Sequence, residues 1–276
     1  MSFMTQQTQE QAKRTAAPAV RLFFERSEFG ARIAKTRQAM QKAGIDLLVV
    51  SDPTNMGWLT GYDGWSFYVH QCVLLPMEGE PVWFGRGQDA NGAKRTVFMQ
   101  HDQIVGYPDH YVQSQVRHPM DYLSREVIAA RGWDKCRIGV EKDNYYFSAA
   151  AYASLTQHLP HASWVDATGL VNWQRAVKSL REIEYMRVAA RIVEKMHARV
   201  FERVEPGMRK SDLVAEIYLA GITGVEGHGG DYPAIVVRVH PDSDVVDAFL
   251  FAPENMGFIE GVEYSYDGWR WPPRVT

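Results

Sequence analysis

The six residues Ile45-Asp46-Leu47-Leu48-Val49-Val50 set the strongest limit on how this chain can fold. After Asp46 no polar side chain interrupts the run, so a strand built from it has no face fit for water and must be covered on both sides. The stretch before it, RSEFGARIAKTRQAMQKAG (26–44), has another rhythm: Phe29, Ile33 and Met40 recur at helical spacing, with Ser27 as a candidate N-cap and Gly44 as a stop. A helix feeding a doubly covered strand opens an α/β layered domain.

The alternation continues. Strands are predicted near 70–75, 81–85 and 137–141, helices near 118–131 and 148–158 with Ser148 as a cap, and a further strand at SWVDA (163–167), completing a three-layer unit. The rhythm then changes. Ile183, Met186, Ala190, Val193, His197 and Val200 fall on one helical stripe, ended by Pro206-Gly207, and a second helix is expected near 211–220 with Ser211 as its cap. The switch places a domain boundary between Arg175 and Glu182 and divides the chain into a disordered polar tail (1–20), an α/β domain (21–178) and a second domain (179–276).

Composition narrows the function classes. With 46% apolar residues and a net charge of -3, the chain of 276 residues can bury a sizeable core, and its scattered basic residues offer no footprint for nucleic acid or an anionic membrane. Small molecules and proteins remain as partners. Cys72 and Cys136 sit apart in apolar segments, as reduced buried thiols would, and the N-terminal residues lack the apolar centre of a secretory signal, so a cytoplasmic location is expected.

Two stretches concentrate chemistry. GYDGWSFYVHQCVLL (61–75) crowds Tyr62, Asp63, Trp65, Tyr68 and His70 between glycines and an apolar run. Polar-tipped rings and a carboxylate in one loop can contact a ligand, with Gly61 and Gly64 letting the backbone fold tightly. The same residues also alternate from Phe67 onward like a half-buried strand, in which Phe67 is core. GHGGDYPAIV (227–236) offers His228 and Asp231 as an acid/base or orienting pair, or else glycines that build a turn capped by His228. Arg86 and Arg95 are possible carboxylate partners or members of a solvated loop, and Glu141, Asp143, Asn144, Tyr145 and Tyr146 read as closing a strand and forming a polar turn at a dimer surface. His197 reads as a core or interface residue, and HPDSD (240–244) has His and two Asp at alternate positions, a pattern that can bind a metal but in a Pro-containing polar turn reads as a solvated loop.

The order of parts, an α/β domain, then RAVKSLREIEYMRVAARIVE, then a helix stop at EPGMRKSDLVAEI, resembles the creatinase, prolidase and methionine-aminopeptidase superfamily over about residues 24–237. Within it, DPTNMGWLTGYDGWSFYVHQCVLL, WFGRGQDANGAKRTV, VGYPDHYVQS, VEKDNYYFSAAAYASL, VDATGLVNWQRAVKS and GHGGDYPAIV together resemble the ectoine hydrolase family. The resemblance implies an α/β N-terminal creatinase-like domain followed by a partial α+β pita-bread domain, in a cytoplasmic homodimer that adds water to the cyclic amidine of ectoine. It implies no cofactor and no metal, Tyr62, Asp63, Trp65, Tyr68 and His70 as substrate-binding residues, and His228 and Asp231 as catalytic ones. Residues 58–70 would act on the partner's site. From Arg238 onward the sequence departs from the family pattern, so the family's catalytic glutamate is not assigned, and Glu260 and Glu263 are not given its role.

Overall fold

The computed structural model describes residues 20, 22–64, 66 and 68–229, together with the strand backbones at 235–239 and 246–250. Helix α1 (Arg26–Ala43) buries Phe29, Arg32, Ile33, Thr36 and Met40 along one stripe. Its N-cap is Glu25, without a side-chain hydrogen bond, and Ser27 lies inside the first turn, so the expected cap is displaced by two residues. The end is as expected: Gly44 adopts φ 65° and the Ile45 N–H reaches the Met40 carbonyl at 2.9 Å, turning the chain into the first strand.

Strands β1 (Leu47–Val50), β2 (Cys72–Pro76), β3 (Val82–Arg86), β4 (Ile104–Tyr107), β5 (Arg137–Val140) and β6 (Ser163–Asp166) form a sheet in the order β4-β3-β2-β1-β5-β6. Only β2 runs antiparallel to its neighbours; the other pairings in this sheet are parallel. The carboxyl ends of β1, β3, β4, β5 and β6 therefore meet the beginning of β2 along one edge. That edge is where open α/β sheets hold ligands.

Both faces are covered. One packs Met40, Leu48, Val50, Val73 and Trp83 beneath α1, α2 (Pro53–Thr60), α3 (Ala90–Thr96) and α6 (Leu170–Arg175). The other packs Leu47, Val49, Phe84, Leu123 and Ile138 beneath α4 (Pro119–Tyr122), the π-helical turn Leu123–Ile128 and α5 (Ala149–His158). The half-buried strand expected from Phe67 onward is corrected by this arrangement. The strand begins at Cys72, and all five of its positions are buried because helices lie over both faces. The two cysteines are free thiols, Cys72 buried and Cys136 partly so.

Beyond Arg175 the chain forms a second compact unit. Helix α7 (Leu180–Arg203) starts with a capping box: Ser179 Oγ accepts from Glu182 N–H at 3.1 Å, and Ser179 N–H donates to Glu182 Oε2 at 2.7 Å. Helix α8 (Lys210–Thr223) has Arg209 as N-cap, with no side-chain cap from the expected Ser211. Lys195 Nζ donates to the Gly224 carbonyl at 2.7 Å and holds the two helices as a hairpin. Strands β7 (Ile235–Val239) and β8 (Val246–Leu250) pair antiparallel, Ile235 opposite Leu250. Tail residues 1–19, Asp231, HPDSD, Glu260 and Glu263 lie outside the described residues.

Candidate functional site

The site begins with a carboxylate that holds the sheet edge together. Glu141, immediately after β5, is buried, and its Oε2 accepts from the N–H groups of Ser51 at 2.7 Å and Asp52 at 2.9 Å, while Oε1 accepts from Asn55 Nδ2 at 2.6 Å. Burial pushes its pKa up, and these donors oppose the shift. This corrects the expectation that Glu141 belongs to a surface turn: it ties β5 to the end of β1 and to the first turn of α2. Arg175 extends the knot, its Nη1 donating to Asn55 Oδ1 at 2.7 Å and to Thr54 Oγ1 at 2.9 Å.

Helix α2 in turn delivers the ring-rich loop. Asp52 caps it by accepting from the N–H groups of Thr54 and Asn55, Pro53 occupies the first turn, and Gly61 ends it at φ 84°, where a Cβ would press on the Thr96 carbonyl at 2.8 Å. These signals stand in the sequence SDPTNMGWLTG, yet the periodicity of so short a helix is too weak to show it.

The loop residues separate into those facing inward and those facing out. Tyr62 is buried against Trp83, with ring centroids 5.3 Å apart, and its hydroxyl donates to Gln71 Oε1 at 2.8 Å. Gly64 accommodates this ring, since a Cβ there would overlap the Tyr62 hydroxyl. The two glycines thus wrap the backbone around a residue of the domain's own core. Asp63 is exposed, its N–H donating to Thr96 Oγ1 at 3.3 Å. Tyr68 is 63% exposed, with its phenol in the field of Arg86. Trp65 is outside the described residues.

His70 is half-buried and packs on His118, centroids 4.4 Å apart. Desolvation, then the neighbouring His118, lowers its pKa to about 4, so the ring is neutral near pH 7. His118 accepts from Met120 N–H through Nδ1 at 3.1 Å as the cap of α4, which leaves its proton on Nε2.

Beside this loop, Arg86 at the end of β3 forms a forked pair with Asp109, at 2.8 Å and 3.2 Å. The sequence offered this arginine to a ligand carboxylate; within the chain Asp109 holds it. Asp89, at the start of α3, has its pKa raised chiefly by desolvation, against a hydrogen bond from the Ser66 side chain. Tyr107 at the end of β4 is buried with its hydroxyl near Asp89 and Arg86. Asp89, Tyr107 and Gln71 were missed by sequence reasoning. Their places in the fold depend on the β3–β4 and β2–β3 pairings.

In the second unit, Val225 and His228 exchange backbone hydrogen bonds of 2.8 Å each across Glu226 (φ 51°) and Gly227 (φ 78°), a tight two-residue turn. The His228 side chain is exposed there. Among the described residues no helix is long and apolar enough to cross a membrane.

With this geometry in place, the sequence profile of the creatinase/prolidase N-terminal domain matches residues 32–177, more than half of the chain. The chain belongs to that family. It is 60% identical over 236 residues to ectoine hydrolase of Halomonas elongata, covering 84% of this chain and 59% of that one. A hydrolase/peptidase of Sinorhizobium fredii is 40% identical over 210 residues, covering 76% of this chain and 53% of that one. A recombinant prolidase from Thermococcus sibiricus superposes with a TM-score of 0.56 at 17% identity, over 70% of this chain and 49% of that one. The chain therefore spans between about half and three-fifths of the length of these relatives. The shared fold is the expected one, an α/β creatinase-type domain followed by part of an α+β pita-bread domain.

Proposed function

We propose that this chain carries the substrate-recognition part of an ectoine-type hydrolase, acting in a cytoplasmic homodimer. The observation that carries the reading is the 60% identity to ectoine hydrolase across 84% of the chain.

The chemistry to be served is specific. Ectoine joins a delocalised amidinium to a carboxylate in one six-membered ring, and water must add to the amidine carbon. The resulting tetrahedral species breaks a ring C–N bond, the departing nitrogen takes a proton, and N-acetyl-2,4-diaminobutyrate is released. Electron-rich rings and a carboxylate suit the cation. Tyr68, exposed at the sheet edge, Trp65 and Asp63 fill these parts in the proposal, with neutral His70 as a hydrogen-bonding neighbour. Tyr62, also among the residues expected at the substrate, acts from beneath by fixing the loop through Gln71. His228 and Asp231 are proposed as the acid/base pair of the second domain; the exposed imidazole on a two-residue turn is open to a ligand.

A second reading has support of its own. The Sinorhizobium relative is called a hydrolase/peptidase, and a dipeptide is also a small zwitterion. Proton NMR of the full chain with ectoine, and separately with an Xaa-Pro dipeptide, discriminates the two. The ectoine reading expects the ring methyl signal to be replaced by an acetyl methyl signal. Cleavage of the dipeptide with ectoine intact contradicts it.

A further inference from the structure

His70 and Gln71 close the ring-bearing loop, and alternation along the chain sends them to opposite faces of the sheet. Gln71 falls on the face of Val73 and Leu75 and accepts from the Tyr62 hydroxyl at 2.8 Å. His70 falls on the face of Cys72 and Leu74, where its ring packs on His118 with centroids 4.4 Å apart and planes tilted by 50°. The loop is held at its exit by two anchors, one on each face. Asp63 directly follows Tyr62 and Tyr68 stands two residues before His70, so these anchors set both exposed side chains.

The first anchor is a hydrogen bond between core residues. The second is built on a helix cap. His118 Nδ1 accepts from Met120 N–H at 3.1 Å, and its own N–H donates to Asp121 Oδ2 at 2.8 Å at the head of α4. Capping by itself favours Asp, Asn, Ser or Thr. An imidazole adds a flat face that these lack, and His70 lies against it. The cap is also braced from behind, because Asp121 Oδ1 accepts from Ser154 Oγ at 2.7 Å and lies 3.1 Å from His158 Nε2, both residues of α5. The His118 ring cannot turn without breaking its bond to Met120. Desolvation lowers the pKa of both rings, and His118 is the neighbour whose charge reaches His70. Two neutral imidazoles pack where two charged ones would repel.

We propose that His118 is a positioning residue for substrate recognition: its ring, locked as the cap of α4, sets the imidazole of His70 and with it the exposed side chains of the 61–70 loop. This assignment rests on the ectoine reading, in which the loop meets the ligand within a homodimer, and deepens it by naming a residue that acts only through the loop. A loop left free to wander binds more weakly in proportion to the time it spends out of its binding shape.

The test is isothermal titration of ectoine into the full chain and into His118→Asn and His118→Phe, with thermal melts of each protein in parallel. The two variants separate cap from ring: asparagine keeps a capping acceptor and removes the flat face, whereas phenylalanine keeps the face and removes the acceptor. The expected result is that His118→Asn melts close to wild type yet raises the Kd for ectoine on the order of tenfold, as a loop competent about a tenth of the time would. His118→Phe is expected to melt lower and to hold its Kd within about twofold of wild type. If only one variant folds, its Kd alone decides, raised for His118→Asn or unchanged for His118→Phe. Wild-type affinity in His118→Asn overturns the inference while the functional reading stands, and so does an affinity that follows the melting temperature in both variants. If wild type takes up no ectoine, the functional reading fails and this inference falls with it.

Discussion

His70 sits where its charge would be least welcome, half-buried and against the tilted ring of His118, whose own pKa burial also lowers. Nearby, Asp121 accepts from the His118 N–H at 2.8 Å and favours the charged form of that ring, without restoring the ordinary value. The consequence for stability has a definite sign. A group whose folded pKa lies below its unfolded value leaves the folded state with fewer protons than the unfolded chain, so acid favours unfolding. The His70 contribution is fully present above about pH 6.5 and declines as the pH falls toward about 4, reaching on the order of 3 kcal/mol. Thermal melts across that window are expected to show the decline in wild type and a shallower one in His70→Gln; identical slopes would contradict the assignment. The same scale shows where residue identity stops informing. Tyr62 and Tyr68 look alike in sequence, a phenol in a glycine-flanked loop, yet one hydroxyl is used by Gln71 in the core and the other ring is exposed. The difference depends on Trp83, a strand away, which no local pattern reveals.

At the scale of elements, Glu141 matters because it joins three of them. Its carboxylate collects donors from the end of β1, the first turn of α2 and Asn144, so removing it strands several buried N–H groups at once. Glu141→Leu is expected to lower the unfolding free energy by about 3 kcal/mol in urea denaturation, and an unchanged midpoint would refute the role given to it. The long or strongly apolar elements were legible in the sequence. The doubly covered β1, the helix stop at Gly44, the Ser148 cap and the Pro206-Gly207 end of α7 each follow from a local physical requirement. What escaped was short. Helices α2 and α3 and strand β4 span two turns or fewer, or four residues, and carry too little periodicity to stand out. Helix starts were misplaced because Ser27 and Ser211 are good capping residues by type, while the chain enters both helices through Glu25 and Arg209. Tertiary packing decides those ends.

The molecule is two units whose described apolar faces are covered to different degrees. The first has a sheet covered on both faces; in the second, the α7–α8 hairpin leaves Leu180 86% and Phe201 82% exposed, along with Met186, Val193 and Leu219. The chain spans 59% of the length of ectoine hydrolase, and a homodimer is the proposed assembly. The carboxyl edge of the first unit is a consequence of topology, since one antiparallel strand among parallel ones gathers the ends of β1, β3, β4 and β5 around the start of β2. A strand string read from sequence gives no pairing order, which is why Asp89 and Tyr107 went unnoticed while the loop above them was singled out. The central claim is that a small amidinium zwitterion is recognised at that edge. Hydrogen–deuterium exchange of the full chain with and without ectoine tests it most directly. Added protection is expected at 61–71 within the first unit; protection absent there, or found only at the groove lined by Arg26, Arg37 and Glu80, would contradict the claim.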